Sequence, residues 1–175
     1  MEVRIVEREI QVRSGHPVTA MVCRGYFEGP GANAQVFGDG GFRTGDAGRI
    51  DEDGYLYIED RIKDRVLTGG LDVYSREVER TIEQPDGVAE AAVVGVPDPD
   101  YGESVVAFVV AGKGASLTGA RGVAHCRAHL AGYKKPRAVP FLDALPRNAS
   151  GKVMKISLRK RAQLASTAER QPDRR

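Results

Sequence analysis

The charged run Asp60-Arg61-Ile62-Lys63-Asp64 divides this chain into two stretches with different periodicities. Before it, short apolar runs alternate with glycine clusters. After it, helical and strand patterns take turns. The run follows a strand pattern, and charge is costly to bury, so it reads as an exposed connection. Such a connection suits a linker between two rigid bodies. A chain of 175 residues has room for one ordinary domain or two small ones, and the linker favours two.

The first stretch reads as strands joined by turns. Arg8–Arg13 alternates apolar and polar residues through Ile10 and Val12, which predicts a half-buried strand. Glu28–Gly31 and Gly38–Gly41 read as turns. Arg49-Ile50 and Tyr55–Ile58 flank Asp51-Glu52-Asp53-Gly54. An Asp-Gly pair between apolar runs predicts a hairpin, because glycine accepts the positive φ of the turn.

The second stretch predicts a strand ending at Val73-Tyr74, then a helix with Ser75 as N-cap and Val78 and Ile82 on one face. Pro85-Asp86-Gly87 stops it. Ala91–Val96 and Val105–Ala111 are continuous apolar strands joined by Asp98–Gly102, close enough to pair antiparallel. Val123, Cys126 and Leu130 mark an amphipathic helix. Ala138–Leu142 contains Pro140 and belongs at a sheet edge. Lys155–Ala165 is a basic helix, and residues 166–175 read as a disordered tail. The order β-α-β-β-α-β plus a last helix predicts an α+β domain with a small sheet.

Composition excludes several classes. Apolar residues at 41% and charged residues at 29% are globular proportions. Lys+Arg 26 against Asp+Glu 24 is too even for a nucleic-acid binder. The apolar runs are too short to span a bilayer, and Met1-Glu2-Val3-Arg4 does not open a signal peptide. Cys23 and Cys126 are far apart and form no Cys-x-x-Cys, so we expect two buried thiols in a cytoplasmic protein. His125 and His129 share a helix face, but no third ligand is evident, so no metal site is assigned.

Three clusters bear on chemistry. In Thr44-Gly45-Asp46, a tight turn aims a carboxylate that could accept two hydrogen bonds from the hydroxyls of a ribose; alone, it is most simply a capped turn. Arg61 to Gly70 ends in Thr68-Gly69-Gly70, where paired glycines make a turn or let a slender ligand lie on bare backbone. Arg61 suits phosphate or ribose oxygens, although solvated charge is the simpler reading. Leu145-Pro146-Arg147-Asn148-Ala149-Ser150-Gly151-Lys152 carries a lysine on a glycine loop, a mobile cation that could neutralise a carboxylate and a phosphate. It lacks the first glycine of a P-loop.

Taken in order, these segments resemble a known family. Gly41-Phe42-Arg43-Thr44-Gly45-Asp46, then Asp53-Gly54-Tyr55, Asp60-Arg61-Ile62-Lys63-Asp64, Gly69-Gly70, Glu77-Val78-Glu79, Tyr133-Lys134-Lys135-Pro136 and Pro146-Arg147-Asn148-Ala149-Ser150-Gly151-Lys152 resemble the C-terminal part of the AMP-forming acyl-CoA synthetases, members of the acyl-adenylate-forming superfamily. The resemblance runs from about Glu9 to about Arg161. Arg8 stands where the family often has glycine, and Asp72 and Ser75 also depart from its pattern.

The resemblance implies an enzyme that joins a carboxylic acid, of fatty or related type, to ATP as an acyl-adenylate. It then passes the acyl group to coenzyme A, with Mg²⁺ screening the phosphates. It implies that Asp46 and Arg61 bind the AMP ribose, that Lys152 is the catalytic lysine, that Lys63 is the hinge, and that Gly69 and Gly70 face the pantetheine arm. It implies that residues 1–62 end a large β-rich, distorted-barrel domain and that 63–165 form a complete mixed-sheet lid. The family's phosphate loop, most Mg²⁺ ligands and acyl pocket are not in this sequence. The expectation is therefore a truncated ligase, inactive alone, needing a missing N-terminal domain or a partner ligase. The alternative is a non-catalytic lid-like module that docks on a partner ligase or carrier protein.

Overall fold

A computed structural model describes residues 2–13, 23, 25–38, 41–115 and 119–169, with backbone only at 119–122 and 167–169. Contacts divide the chain into two units, Met1–Lys63 and Asp64–Arg175. Each is described by itself.

The first unit is a curled antiparallel sheet. Its elements are β1 (Glu2–Val6), β2 (Glu9–Arg13), helix α1 (Pro30–Val36), β3 (Phe37–Gly38), β4 (Gly41–Ile50) and β5 (Leu56–Arg61). β4 is the hub: β2 lies along one edge, while β3 and β5 share the other. Register shifts at Glu9/Gln11 and Ala47/Gly48 are bulges, which raise local twist and curl a sheet. The expected Arg8–Arg13 strand is β2, and Ile10 is buried. The Asp51–Gly54 hairpin also forms, closed by Ile50 opposite Leu56. Tyr55, just before β5, and Leu56, Tyr57 and Ile58 on it stay exposed.

Three details depart from expectation. Glu28–Gly31 does not stay a turn: Pro30 opens a seven-residue helix, where its fixed φ and missing N–H cost nothing. Glu7 and Arg8 join β1 to β2 with φ of 49° and 70°, left-handed values unusual outside glycine. The Arg8 position, where the related family prefers glycine, is thus a turn position that asks for one. Cys23, expected to be buried, is exposed.

The second unit is a three-layer domain. After a 3₁₀ turn at Ile62–Asp64 come β6 (Val66–Thr68), β7 (Leu71–Val73), α2 (Ser75–Glu83), β8 (Val88–Asp98), β9 (Gly102–Ala111), α3 (Gly119–His129), a 3₁₀ turn (Gly132–Lys134), β10 (Phe141–Leu142) and α4 (Lys155–Glu169). β8 and β9 pair antiparallel from Asp98↔Gly102 to Val88↔Ala111. β6 meets the other edge of β9 at Gly102, and β10 runs parallel to β9 at Val109 and Val110, which makes the sheet mixed.

Burial explains the unbroken apolar runs. Val93, Val105, Ala107 and Val109 face Val78 and Ile82 of α2 and Cys126 of α3. Ala92, Val94, Val106, Phe108 and Val110 face Leu158 and Ala162 of α4 and Leu145. A strand covered on both faces is apolar at every position. Burial also pushes the Cys126 thiol above its ordinary value. β8 pairs only with β9, so its outer N–H groups need other acceptors. Glu79 Oε1 accepts from Val93 N–H at 2.9 Å, and Glu83 Oε1 accepts from Ala91 N–H at 3.2 Å. Two helix carboxylates thereby cover a sheet edge.

Two expectations are corrected here. Ser75 is the first residue of α2 rather than its cap; it is fully buried, and its hydroxyl accepts from Lys155 Nζ at 2.6 Å. The expected disordered tail at 166–175 starts too early: α4 continues through Glu169, because Leu158 and Ala162 anchor its inner face and nothing breaks the helix before that. Residues 170–175 lie outside the described residues.

Candidate functional site

The nucleotide-facing candidates lie on β4 and β5. Asp46 and Arg61 are register partners across the two strands, and Arg61 Nε lies 2.7 Å from Asp46 Oδ1. The pair is a direct ion pair, so a sugar would lie across it rather than between the charges. The turn that aims Asp46 is built around Gly45, at φ 73°. Thr44 Oγ1 donates to Ile10 O at 2.8 Å and accepts from Asp46 N–H at 3.1 Å. Glu9, buried on β2, accepts from Gly45 N–H at 3.1 Å and from Arg43 Nε at 2.7 Å. Sequence reasoning missed Glu9. The available signal was a carboxylate opening a strand whose next residues point inward.

Lys63 sits in the 3₁₀ turn Ile62–Asp64 and is the last residue of the first unit. The geometric boundary thus falls inside the charged run. Asp64, on the other side, is held by Arg159 Nη2 of α4 at 3.1 Å.

Gly69 and Gly70 are the two-residue loop between β6 and β7, closed by Thr68 opposite Leu71. Their φ values, 57° and 78°, are those of the tight hairpin turn that matches strand twist. Gly69 N–H donates to Tyr101 O at 2.8 Å. Beside the loop lies an open cavity of about 730 Å³, lined among others by Gly69, Tyr101, Arg127, Lys135 and Arg137. Arg137 stacks on Tyr101, 4.3 Å from the ring centre, and pairs with Asp98 at 3.1 Å. Lys135 was read only as part of the Tyr133-Lys134-Lys135-Pro136 motif, and Arg127 and Arg137 were not singled out from sequence.

Lys152 lies outside the lining of that cavity. It stands on a closed hairpin in which Arg147 bridges Val153, Asn148 N–H donates to Lys152 O at 3.0 Å, and Met154 N–H donates to Pro146 O at 2.8 Å. Lys152 is exposed, and among the described residues its ammonium has no ion-pair partner. A cation held on an ordered loop with no internal partner can act on an outside anion. The structure therefore joins Asp46 to Arg61 and separates Lys152 from the Gly69–Gly70 cavity.

His125 and His129 stack with ring centres 4.1 Å apart, and His125 contacts Gln84. Among the described residues no three His, Cys, Asp or Glu side chains gather to hold a metal. Among the described residues there is no donor set for the Mg²⁺ that the resemblance implies. No described helix is long and apolar enough to cross a membrane.

Comparison with known proteins bears on the family of the chain. Residues 77–152 match the AMP-binding enzyme C-terminal domain. The chain is 48% identical over 161 residues to a 3-[(3aS,4S,7aS)-7a-methyl-1,5-dioxo-octahydro-1H-inden-4-yl]propanoyl:CoA ligase of Rhodococcus jostii, covering 91% of this chain and 30% of that protein. Its fold matches o-succinylbenzoate CoA synthetase of Bacillus subtilis, solved with an acyl-adenylate intermediate, at TM-score 0.80 and 34% identity over 90% of this chain and 33% of that one. It matches the amide bond synthetase McbA of Marinactinospora thermotolerans at TM-score 0.81 and 39% identity, over 91% of this chain and 34% of that one. The chain thus spans about a third of the length of these relatives. It carries the AMP-binding enzyme C-terminal domain and is similar to the C-terminal part of the AMP-forming acyl-CoA ligases, which are adenylate-forming enzymes.

Proposed function

We propose that this chain supplies the ribose grip and the swinging lid of an ATP-dependent acid–CoA ligase, and that it needs an N-terminal portion to turn over. The observation that carries this reading is Lys152: an exposed ammonium on a closed hairpin, without an ion-pair partner among the described residues. In the first half-reaction a carboxylate oxygen attacks the α-phosphorus of ATP and pyrophosphate leaves. Lys152 neutralises both anions as they meet, a repulsion that otherwise opposes the reaction. Asp46 accepts hydrogen bonds from the ribose hydroxyls, and Arg61 turns its further N–H donors to the same sugar or the phosphate.

In the second half-reaction a thiolate attacks the acyl carbon and AMP leaves with the bonding electrons. Lys63 absorbs the rotation between the halves, and the Gly69–Gly70 loop then borders the thiol's path. Bare backbone there admits a narrow pantetheine arm, while Arg127, Lys135 and Arg137 provide cations for an anionic carrier of that arm. Mg²⁺ would be held by residues outside this chain.

The test is pyrophosphate release from ATP with a panel of carboxylic acids, with CoA thioester read by mass. The chain alone is expected to be silent. Supplied with the N-terminal portion of a relative, it should turn over, and Lys152→Ala should slow pyrophosphate release by roughly 100-fold or more. Turnover by the chain alone overturns the division of labour. Silence in every complemented mixture overturns the ligase reading.

A further inference from the structure

One side-chain oxygen gathers three of the hydrogen bonds that hold the loop carrying Lys152. Asn148 Oδ1 accepts from Ser150 N–H at 3.1 Å, Ser150 Oγ at 2.8 Å and Lys152 N–H at 2.9 Å. Two of these donors are backbone N–H groups, which cannot accept, so the amide orientation is dictated by its partners. The neighbouring Arg147 works outward. Its Nη1 donates to Gly151 O at 2.7 Å, and its Nη2 pairs with Glu90 on β8. Asn148 closes the hairpin, and Arg147 before it ties the hairpin to the sheet.

We propose that Asn148 is a positioning residue for Lys152, presetting the hairpin so that the ammonium is presented without a reorganisation cost, with the Arg147–Glu90 pair as its anchor. The relation to chemistry rests on the ligase reading above; the positioning itself does not. A site that acts on charge gains from being ordered before its ligand arrives. A flexible lysine stem on a flexible loop would have to be ordered twice. An asparagine serves this role without adding charge. An aspartate would accept the same three bonds but would set a carboxylate on the loop of the ammonium meant for the substrate.

The experiment follows amide hydrogen exchange and melting in the full 175-residue chain. Asn148→Ala should speed exchange at the Lys152 and Ser150 amides by about tenfold, the loss of order expected when buried or bridging hydrogen bonds are removed. Exchange at Val93, in the core sheet, should stay unchanged. Asn148→Asp should restore protection of both amides, because it restores the acceptor. A general structural defect would instead move Val93 as well and would not be rescued by aspartate. Unchanged exchange at Lys152 in Asn148→Ala, or failure of aspartate to restore it, overturns the proposal. None of these readouts needs turnover, so they stand apart from any failure of the ligase assay.

Discussion

Arg61 Nε and Asp46 Oδ1 meet at 2.7 Å across a β4–β5 register pair, half in solvent. Their mutual attraction is screened there and contributes little stability. Their value lies in being aimed. Asp46→Asn should shift melting by less than about 1 kcal/mol of stability. It should weaken AMP binding by tenfold or more in an assembly that binds AMP, as expected for losing a charge-assisted hydrogen bond. Calorimetry of the variant, by melting and by AMP titration, reads both. A large stability loss with AMP affinity unchanged would make the pair structural.

Arg8 offers the opposite kind of variant, one that should stabilise. At φ 70° its side chain costs the hairpin about 1 kcal/mol that glycine would not. Its ion pair with Glu59 is long, at 3.6 Å, and exposed, so little is lost with it. Arg8→Gly should raise the denaturation midpoint of the first unit. A lowered midpoint would show that the Glu59 contact outweighs the strain.

Glu79 and Lys155 form the buried counterpart, at 2.8 Å, tying α2 to the start of α4 while Glu79 also covers the Val93 N–H. Removing Lys155 takes the close partner from the buried Glu79 carboxylate and leaves it the half-exposed Arg76 at 3.4 Å. Lys155→Ala should cost about 3 kcal/mol, read by urea denaturation. Replacement of both by apolar residues should recover much of this. A double variant as unstable as the single one would count against that account.

Acid should act at the β4–β5 hairpin. The Tyr55 N–H, donating to Asp51 Oδ1 at 2.8 Å, holds that carboxyl below its ordinary value of 3.8. Desolvation opposes this, and Tyr57, Asp53 and Arg49 add to it in smaller measure. A group lowered on folding stabilises the fold above its unfolded value, and that contribution disappears as pH falls through the folded value. Carbon-detected titration of Asp51 should give a midpoint under 3.8, and Asp51→Asn should remove the matching part of the acid transition. A midpoint at or above 3.8 would deny the hydrogen bond in solution.

Much of this protein was legible in one dimension. The apolar runs at 91–96 and 105–111, the Asp-Gly hairpin and the helix stop at Pro85-Asp86-Gly87 each carry a local signal, because periodicity and turn chemistry act over a few residues. The ordered motifs pointed to the family in the same way. What stayed hidden depends on distant partners. Ser75 is a buried acceptor for Lys155 eighty positions on, and α4 outruns its basic segment because Leu158 and Ala162 are packed. Glu9 bonding Gly45, Glu79 covering Val93 and Arg147 reaching Glu90 are further cases. The amino-acid order alone determined which segments become strands and helices and which family they serve. Only the folded chain decided which charges are spent on holding the structure and which, like Lys152, are left facing outward, because a polar group's role is set by what surrounds it and not by its neighbours in sequence.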